Sequence, residues 1–291
     1  MIGVTGASGR LGRLVIAELL QRVPASEIVA LARTPDKIAD LAAQGVTVRR
    51  ADYDDPSTLD AALAGVERLL LISGSEVGRR IAQHRNVVEA AVRAGVRFVA
   101  YTSILHADRT PLRALAEEHL ATEEALRASG LAWTFLRNSW YTENYEDRAR
   151  AAAATGELVG ATGDARISSA TRADYAAAAA VVLTTDGHAG RIYELAGDEA
   201  WTMRDLAAVI GEVTGRPVIY RNLSPEEYKA YLVQQGTPPA VAEVLAALEA
   251  GIAQDALFDD SHQLSQLIGR PTTPLREAVR SWFAKDRKSV V

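Results

Sequence analysis

The sequence contains no cysteine among its 291 residues, and this absence removes several kinds of chemistry. Disulfides, thiolate nucleophiles and cysteine-based metal sites are all excluded. Every apolar run is also far shorter than the ~18–20 residues that a membrane-spanning helix needs. Met1 leads directly into the first predicted strand and leaves no room for a signal peptide, so we expect a cytoplasmic protein with no membrane partner.

Basic residues are outnumbered by acidic ones, with 32 Lys and Arg against 37 Asp and Glu and a net charge of −5. A protein that binds the phosphate backbone of a nucleic acid normally presents a basic surface, so no nucleic-acid partner is expected. The five histidines show no ligand spacing such as His-x-x-x-His, and no metal site is predicted. The sequence carries no signal for oligomeric state, and a homodimer stays open.

The chain opens on a short apolar strand, a turn with glycine at every third position, and an amphipathic helix. Backbone without side chains at such a turn approaches a pyrophosphate closely, and the helix N-terminus offers free N–H groups to the same anion. The position between strand and helix distinguishes this pattern from an ordinary tight turn. The residues predicted to bind a dinucleotide here are Gly6, Ala7, Ser8, Gly9, Arg10, Leu11 and Gly12.

Short apolar strands alternate with helical segments through the first half of the chain, which indicates βαβ units and a parallel sheet. The strands that follow the first are predicted at residues 28–31, 46–49, 69–72, 98–102, 133–136 and 191–195. The predicted fold class is α/β, a Rossmann-type doubly wound parallel sheet with a smaller, mostly helical C-terminal domain.

The two predicted domains interleave along the chain. The NAD(P)-binding Rossmann domain is predicted at residues 1–155, with the strand at 191–195 also part of its sheet. The smaller substrate-side domain is predicted at residues 156–291.

Ligands of such folds lie at the carboxyl ends of the strands, so the residues that follow each strand are the candidates for the site. Arg33 follows the second strand, where NAD-preferring folds carry an acidic residue; an arginine suits the 2′-phosphate and favours NADPH as the cofactor. Asp52 and Tyr53 follow the third strand and are predicted beside the adenine, although Asp52 is also a common turn former. The loop Ser73-Gly74-Ser75 is predicted to run along the ribose and phosphates.

The sixth strand ends in the segment Asn138, Ser139, Trp140 and Tyr141, which is predicted to flank the nicotinamide. The alternative is that these aromatic rings only bury the loop against the sheet. The residues predicted to contact a substrate are Tyr101, His106, Trp140 and Tyr145.

The predicted helix at residues 112–129 contains neither tyrosine nor lysine. A short-chain dehydrogenase that acts on alcohols needs a tyrosine to move the proton and a lysine four residues later to lower its pKa. The helix offers His119 as the candidate catalytic residue, because an imidazole transfers protons near neutral pH; packing is the alternative role. Reduction of a quinone tolerates the missing pair, since the hydroquinone product is acidic enough for solvent to complete its protonation.

Taken together, the motifs resemble the NmrA-like branch of the atypical short-chain dehydrogenases, and within it the bacterial NAD(P)H:quinone oxidoreductases of the second type. Triphenylmethane dye reductases are a more distant resemblance. The segments that carry it span nearly the whole chain: residues 6–12, 23–26, 49–53, 69–77, 100–108, 136–145, 170–175, 193–198 and 267–273.

The resemblance implies a Rossmann domain with a smaller C-terminal domain and NADPH in the cleft between them. It also implies Arg33 on the 2′-phosphate and residues 138–141 near the nicotinamide. Many members of the family carry a lysine where this chain has His119, although the quinone reductases are similar in lacking it.

The resulting interpretation is an NADPH-dependent reductase that transfers hydride to a quinone or a similar planar conjugated acceptor, which needs mainly stacking at reacting distance. Two alternatives stay open. One is an NAD(P)-binding redox sensor without turnover, since the missing tyrosine and lysine fit that as well. The other is a dye or azo reductase.

Overall fold

The computed structural model describes residues 1–284. Its strands are β1 (Ile2–Val4), β2 (Ile28–Ala32), β3 (Thr47–Arg50), β4 (Arg68–Leu71), β5 (Phe98–Ile104), β6 (Ala132–Asn138), β7 (Glu157–Gly160), β8 (Arg191–Leu195) and β9 (Ile219–Asn222). Its α-helices are α1 (Arg10–Leu20), α2 (Ala39–Ala43), α3 (Pro56–Leu63), α4 (Arg80–Arg93), α5 (Arg113–Ala128), α6 (Glu146–Thr155), α7 (Arg172–Thr184), α8 (Met203–Thr214), α9 (Pro225–Gln234), α10 (Pro239–Ile252), α11 (Gln263–Ile268) and α12 (Leu275–Ala284).

Seven parallel strands form the main sheet, in the order β3-β2-β1-β4-β5-β6-β8. Every residue of β1, β2 and β5 is buried, as expected for apolar strands that are covered on both faces. The chain builds outward from β1 in one direction and, after β4, in the other. The direction reverses between β1 and β4, and this is where doubly wound sheets bind their ligands. The predicted fold class is confirmed.

Helices cover both faces of this sheet. α1, α7 and α11 pack on one face, and α3, α4 and α5 pack on the other. The middle of α7 consists of consecutive alanines, of which Ala176, Ala178 and Ala180 are fully buried. Small side chains let α7 lie close to both α1 and the sheet. This close packing fixes the first turn of α1 relative to the strands.

A second apolar core lies beside the carboxyl ends of the strands. It is built from α6, α8 and α12 and from a small parallel sheet of β7 and β9, with Trp201 and Trp282 buried in it. The sequence did not predict β7 and β9. The predicted division of the chain near residue 155 stays a prediction, but β8, α7 and α11 lie beyond it and complete the main sheet and its cover. Within residues 1–284, no helix combines the length and the hydropathy of a membrane span.

A buried ion cluster joins the main sheet to α5. Arg137 on β6 donates from Nε and Nη2 to the two carboxylate oxygens of Glu123, each at 2.9 Å, and Glu123 is fully buried. Nη1 of Arg137 also reaches Asp108 at 2.7 Å and Glu194 on β8 at 3.0 Å. Ser103 Oγ donates to Glu123 at 2.7 Å. The cluster therefore fixes the loop after β5 relative to β6 and β8.

Replacement of Arg137 by methionine removes the two-point cation of the buried Glu123 carboxylate and leaves it only the partly exposed Arg127, at 3.3 Å. We expect a loss of about 3 kcal/mol in the free energy of unfolding at neutral pH. Arg93→Met is the control, because Arg93 and Asp60 form an exposed pair that is worth at most about 1 kcal/mol. Urea denaturation measures both variants; equal losses would contradict a stabilising role for the buried cluster.

Candidate active site

A cleft of about 560 Å³ opens at the carboxyl ends of β1, β2 and β4, at the point where the strand order reverses. Most of the residues predicted to bind the cofactor line it. These are Gly6, Ser8, Gly9, Arg10, Leu11, Gly12, Arg33, Asp52, Tyr53, Ser73, Gly74, Ser75 and Tyr141.

The glycine turn at one end of the cleft is shaped by close backbone contacts. Gly6 has a φ of +59°, a conformation that favours glycine. A Cβ on Gly12 would lie 2.4 Å from the carbonyl oxygen of Gly6, so α1 can start here only without a side chain. Gly9 precedes α1 and provides no side-chain cap, and the first turn of α1 carries no acidic residue. The first N–H groups of α1 are thus available to an anion.

Arg33 lines the cleft from the exposed loop that follows β2. Its side chain is 67% exposed, and its Nη1 lies 3.6 Å from Oε1 of Glu76. Glu76 also pairs with Arg79, at 2.9 Å. An exposed ion pair of this kind is worth at most about 1 kcal/mol, so a phosphate dianion can displace Glu76 from Arg33.

The segment after β6 contributes one side chain to the cleft wall. Tyr141 lines the cleft, with the guanidinium carbon of Arg172 4.3 Å from its ring centroid. Burial raises the pKa of Tyr141, so its hydroxyl stays protonated. Asn138 is 6% exposed, and its Oδ1 has no hydrogen-bond partner within the described residues. Asn138 does not line the cleft itself; it lies behind Tyr141, with which its side chain interacts.

Three further residues that were predicted to bind the cofactor do not line the cleft: Ala7, Ser139 and Trp140. Ser139 is buried, and its N–H and Oγ donate to the carbonyls of Leu195 and Leu257. Trp140 packs against the second core. Ala7 is fully buried within the glycine turn.

The residues predicted to contact a substrate are not gathered in the cleft. Tyr101 is fully buried, because its ring lies on the face of the sheet that α4 and α5 cover, against His84 and His119. Tyr145 is buried edge-to-face on Trp201. His106 borders a second cavity of about 430 Å³, where its Nε2 lies 3.0 Å from Oδ2 of Asp259.

His119 is buried on α5 and does not reach the cleft. Its Nδ1 lies 2.7 Å from the Tyr101 hydroxyl, and the residue is only 7% exposed. Burial, with the Arg80 guanidinium as a second cause, lowers the pKa of His119 to about 3. The ring is therefore neutral near pH 7, and a catalytic role as a cationic proton donor is not supported by this environment.

The structure adds cleft residues that the sequence did not single out, namely Arg80, Arg172 and Glu76. Arg172 belongs to a segment that carried the family resemblance, but nothing in the sequence indicates that α7 starts beside the end of β6. Arg80 is the first residue of the helix that follows the Ser73–Ser75 loop, and this position in the sequence could have predicted that it lines the cleft.

The residues present fit a dinucleotide with a 2′-phosphate. Gly6 and Gly12 let the turn and the start of α1 meet backbone to backbone, the first N–H groups of α1 are open, and Arg33 provides a cation on the same cleft. A doubly wound sheet with these features at its switch point defines a nucleotide-cofactor-binding protein.

Comparison with known proteins agrees with this class. Residues 6–186 match the model of an NAD(P)H-binding family, and the chain belongs to that family. It is 55% identical to quinone oxidoreductase 2 of Escherichia coli over 97% of this chain and 99% of that protein. The crystal structure of the NADPH-dependent E. coli enzyme complexed with NADPH matches with a TM-score of 0.94, covering 97% of this chain and 100% of the other.

Two further relatives extend the comparison. The triphenylmethane reductase of Citrobacter sp. complexed with NADP(H) matches with a TM-score of 0.92 and 43% identity, over 97% of this chain and 100% of the other. An NmrA-like family domain-containing oxidoreductase of Aspergillus flavus is 33% identical over 98% of this chain and 95% of that protein. The resemblance drawn from the sequence is confirmed.

The buried histidines predict how stability depends on pH. His84 is fully buried, and burial, with Arg80 nearby, lowers its pKa to about 4. Unfolded histidines take up protons near pH 6.5, whereas His84 and His119 in the folded protein do so only near their lowered pKa values. Above about pH 6.5 both histidines are neutral in the folded and the unfolded state and do not lower the free energy of unfolding. As the pH falls below this value the unfolded state gains protons first, and at about pH 5 each histidine lowers the free energy of unfolding by about 2 kcal/mol.

Urea unfolding between about pH 8 and about pH 5 measures this loss. We expect His119→Gln to flatten the pH profile even though it lowers stability at pH 8. His262→Asn is the control, because His262 is exposed. A His119→Gln profile as steep as that of the original protein would show that the buried imidazole does not titrate as described.

Proposed function

We propose that the chain is an NADPH-dependent reductase that transfers hydride to a quinone or a similar planar conjugated acceptor. The observation that carries this proposal is the cleft at the switch point, which both the glycine turn and Arg33 line. The identity to the E. coli quinone oxidoreductase over nearly the whole chain supports the acceptor class. A cytoplasmic location and a small-molecule quinone as the partner belong to the same proposal, and the homodimer stays open.

Each part of the cleft has a distinct role in holding NADPH. The glycine turn and the first N–H groups of α1 take the pyrophosphate, and Arg33 takes the 2′-phosphate. Asp52 and Tyr53 lie on the adenine side, and the loop Ser73–Ser75 follows the ribose and phosphates.

The nicotinamide end is held by the segment after β6. Tyr141, with Arg172 stacked on its own ring, would border the nicotinamide, and Asn138 would support Tyr141 from behind. When bound, NADPH supplies the hydride. His106 remains a prediction for the acceptor site: Leu105, its neighbour, donates its N–H to the carbonyl of Asn138 at 2.9 Å.

Neither His119 nor Tyr141 offers a proton that titrates near neutral pH at this end of the cleft. His119 is neutral and buried behind Tyr101, and Tyr141 keeps its proton because its pKa is raised. Protonation of the reduced acceptor is therefore left to water. This arrangement suits quinones, whose hydroquinone oxygens are acidic.

Turnover decides between this function and the two alternatives. We expect saturable, protein-dependent oxidation of NADPH with a simple benzoquinone, followed by absorbance. Measurable NADPH binding with no turnover above the uncatalysed rate would favour a redox sensor. Dye reduction is the second candidate, because the triphenylmethane reductase shares 43% of its residues; a higher kcat/KM for a triphenylmethane or azo dye than for quinones would favour it.

Arg33→Glu tests the site of the 2′-phosphate. The substitution removes a charge-assisted bond and adds repulsion, so we expect the Kd of NADPH to rise about 100-fold and that of NADH to change less than about threefold. Fluorescence titration measures both. Arg97→Glu is the control, since Arg97 is an exposed arginine paired with Glu67 outside the cleft. Equal losses for the two cofactors would refute the role of Arg33.

Glu76→Gln is the opposite test, because the Glu76 carboxylate competes with the phosphate for Arg33. We expect the Kd of NADPH to fall about threefold while that of NADH stays unchanged. The gain should disappear when Arg33 is also replaced by glutamine. A gain that persists in the double variant would mean that Glu76 acts on the cofactor without Arg33.

A further inference from the structure

The loop after β4 is held by side chains where the sheet no longer provides backbone partners. Three successive N–H groups, those of Ile72, Ser73 and Gly74, each donate to a side chain. The acceptors are Thr5 Oγ1, Thr102 Oγ1 and His84 Nε2, all at 2.9 Å. The path of this loop along the cleft is therefore set by acceptors from three different elements.

The acceptor of the Gly74 N–H must be in one particular tautomer. A backbone N–H can only donate, so Nε2 of His84 carries no proton. The ring proton is then on Nδ1, which lies 2.8 Å from Oγ1 of Thr122. The Thr122 hydroxyl in turn donates to the carbonyl of Glu118 at 3.0 Å, which leaves its lone pairs free for the His84 N–H. Each hydrogen bond in this chain has one consistent direction.

The carbonyl of the same residue is held as well. Arg80 Nε donates to the Gly74 oxygen at 2.5 Å, and Arg80 lies one helical turn before His84 on α4. On α5, Glu118 and Thr122 have the same spacing and support these two side chains from behind. Glu118 Oε1 also accepts the N–H of Gly78 at 2.7 Å. Both ends of the loop are thus attached to two adjacent helices.

The loop lies directly on α4 at this point. A Cβ on Gly74 would fall 3.0 Å from Oε1 of Gln83 and 3.7 Å from Nε2 of His84. Gly74 lines the cleft at the same time, so its backbone separates the buried histidine from the bound ligand. A small displacement of this peptide changes the shape of the cleft wall.

We propose that His84 is a positioning residue for the cofactor: by accepting the Gly74 N–H it fixes the Ser73–Ser75 loop against which NADPH binds. The proposal rests on the proposed function only for the identity of the bound cofactor. Without this acceptor the Gly74 N–H has no hydrogen-bond partner in the interior, which destabilises the present conformation of the loop. The loop is then expected to shift until this N–H meets another acceptor. The cofactor then has to restore the loop as it binds, and the Kd rises.

A matched pair of variants separates this role from packing. In His84→Gln the side-chain oxygen reaches the position of Nε2 and keeps an acceptor for Gly74. His84→Asn reaches only the position of Nδ1, so it keeps a partner for Thr122 and leaves Gly74 unpaired. We expect the Kd of NADPH to rise about tenfold in His84→Asn and less than about twofold in His84→Gln. The kcat with a quinone should change less than about twofold in both, since the bound cofactor orders the loop.

Similar Kd values for the two variants would overturn the proposal, as would a loss confined to kcat. Binding is measured without an acceptor, so an absence of quinone turnover would contradict the proposed function and leave the comparison of Kd values to decide on His84.

The tautomer is measured on the original protein and needs no variant to fold. In the ¹⁵N-histidine-labelled full chain we expect one imidazole with its proton on Nδ1 and a bare Nε2 near pH 7, assigned by its loss in His84→Gln. Slow hydrogen exchange at the Gly74 amide is expected with it. A His84 signal with the proton on Nε2 would overturn the proposal, because that ring cannot accept the Gly74 N–H.

Discussion

The start of α1 lies in direct backbone contact with the turn that precedes it, and the rest of the site depends on this close approach. Only glycine at position 12 permits it, because a Cβ would lie 2.4 Å from the Gly6 carbonyl. The contact places the open N–H groups of α1 at the reversal between β1 and β4. The alanines of α7 pack beside α1 on the same face of the sheet and keep the two helices close. The proposed anion site thus rests on backbone packing and open N–H groups.

The other walls of the cleft are held by polar side chains that have become part of the interior. The strands end at different heights, and beyond the last ladder bond each backbone group needs a new partner. Thr5, Thr102 and His84 provide these partners on the β4 side, and Glu194 of the Arg137 cluster accepts the N–H of His106 after β5. These side chains do not line the cleft, yet they fix the backbone of the segments that do.

The sequence was sufficient wherever a residue's role depends on its own strand. Short apolar runs and the alternation of strands with helices predicted the main sheet, including β8 at residues 191–195. The position after β2 was enough to place Arg33 in the cleft. The sequence was insufficient where remote segments meet: Arg172 reaches the cleft only because α7 begins beside Tyr141. β7 and β9 escaped prediction because each is short and β9 buries only Tyr220. Tyr101 was expected at the site, but its ring lies on the face of the sheet that α4 and α5 cover.

The buried pair of Tyr101 and His119 limits what the protein can reduce. The hydroxyl and Nδ1 are 2.7 Å apart, and burial acts on both in the direction that keeps them neutral: it raises the pKa of Tyr101 well above its usual range and lowers that of His119 to about 3. A ketone would need a proton from such a pair as its alkoxide forms, because an alkoxide is strongly basic. A quinone delivers its charge to an oxygen that is only weakly basic, and water meets that demand. Because the buried His119 of α5 supplies no proton, the protein suits acceptors such as quinones that take their proton from water.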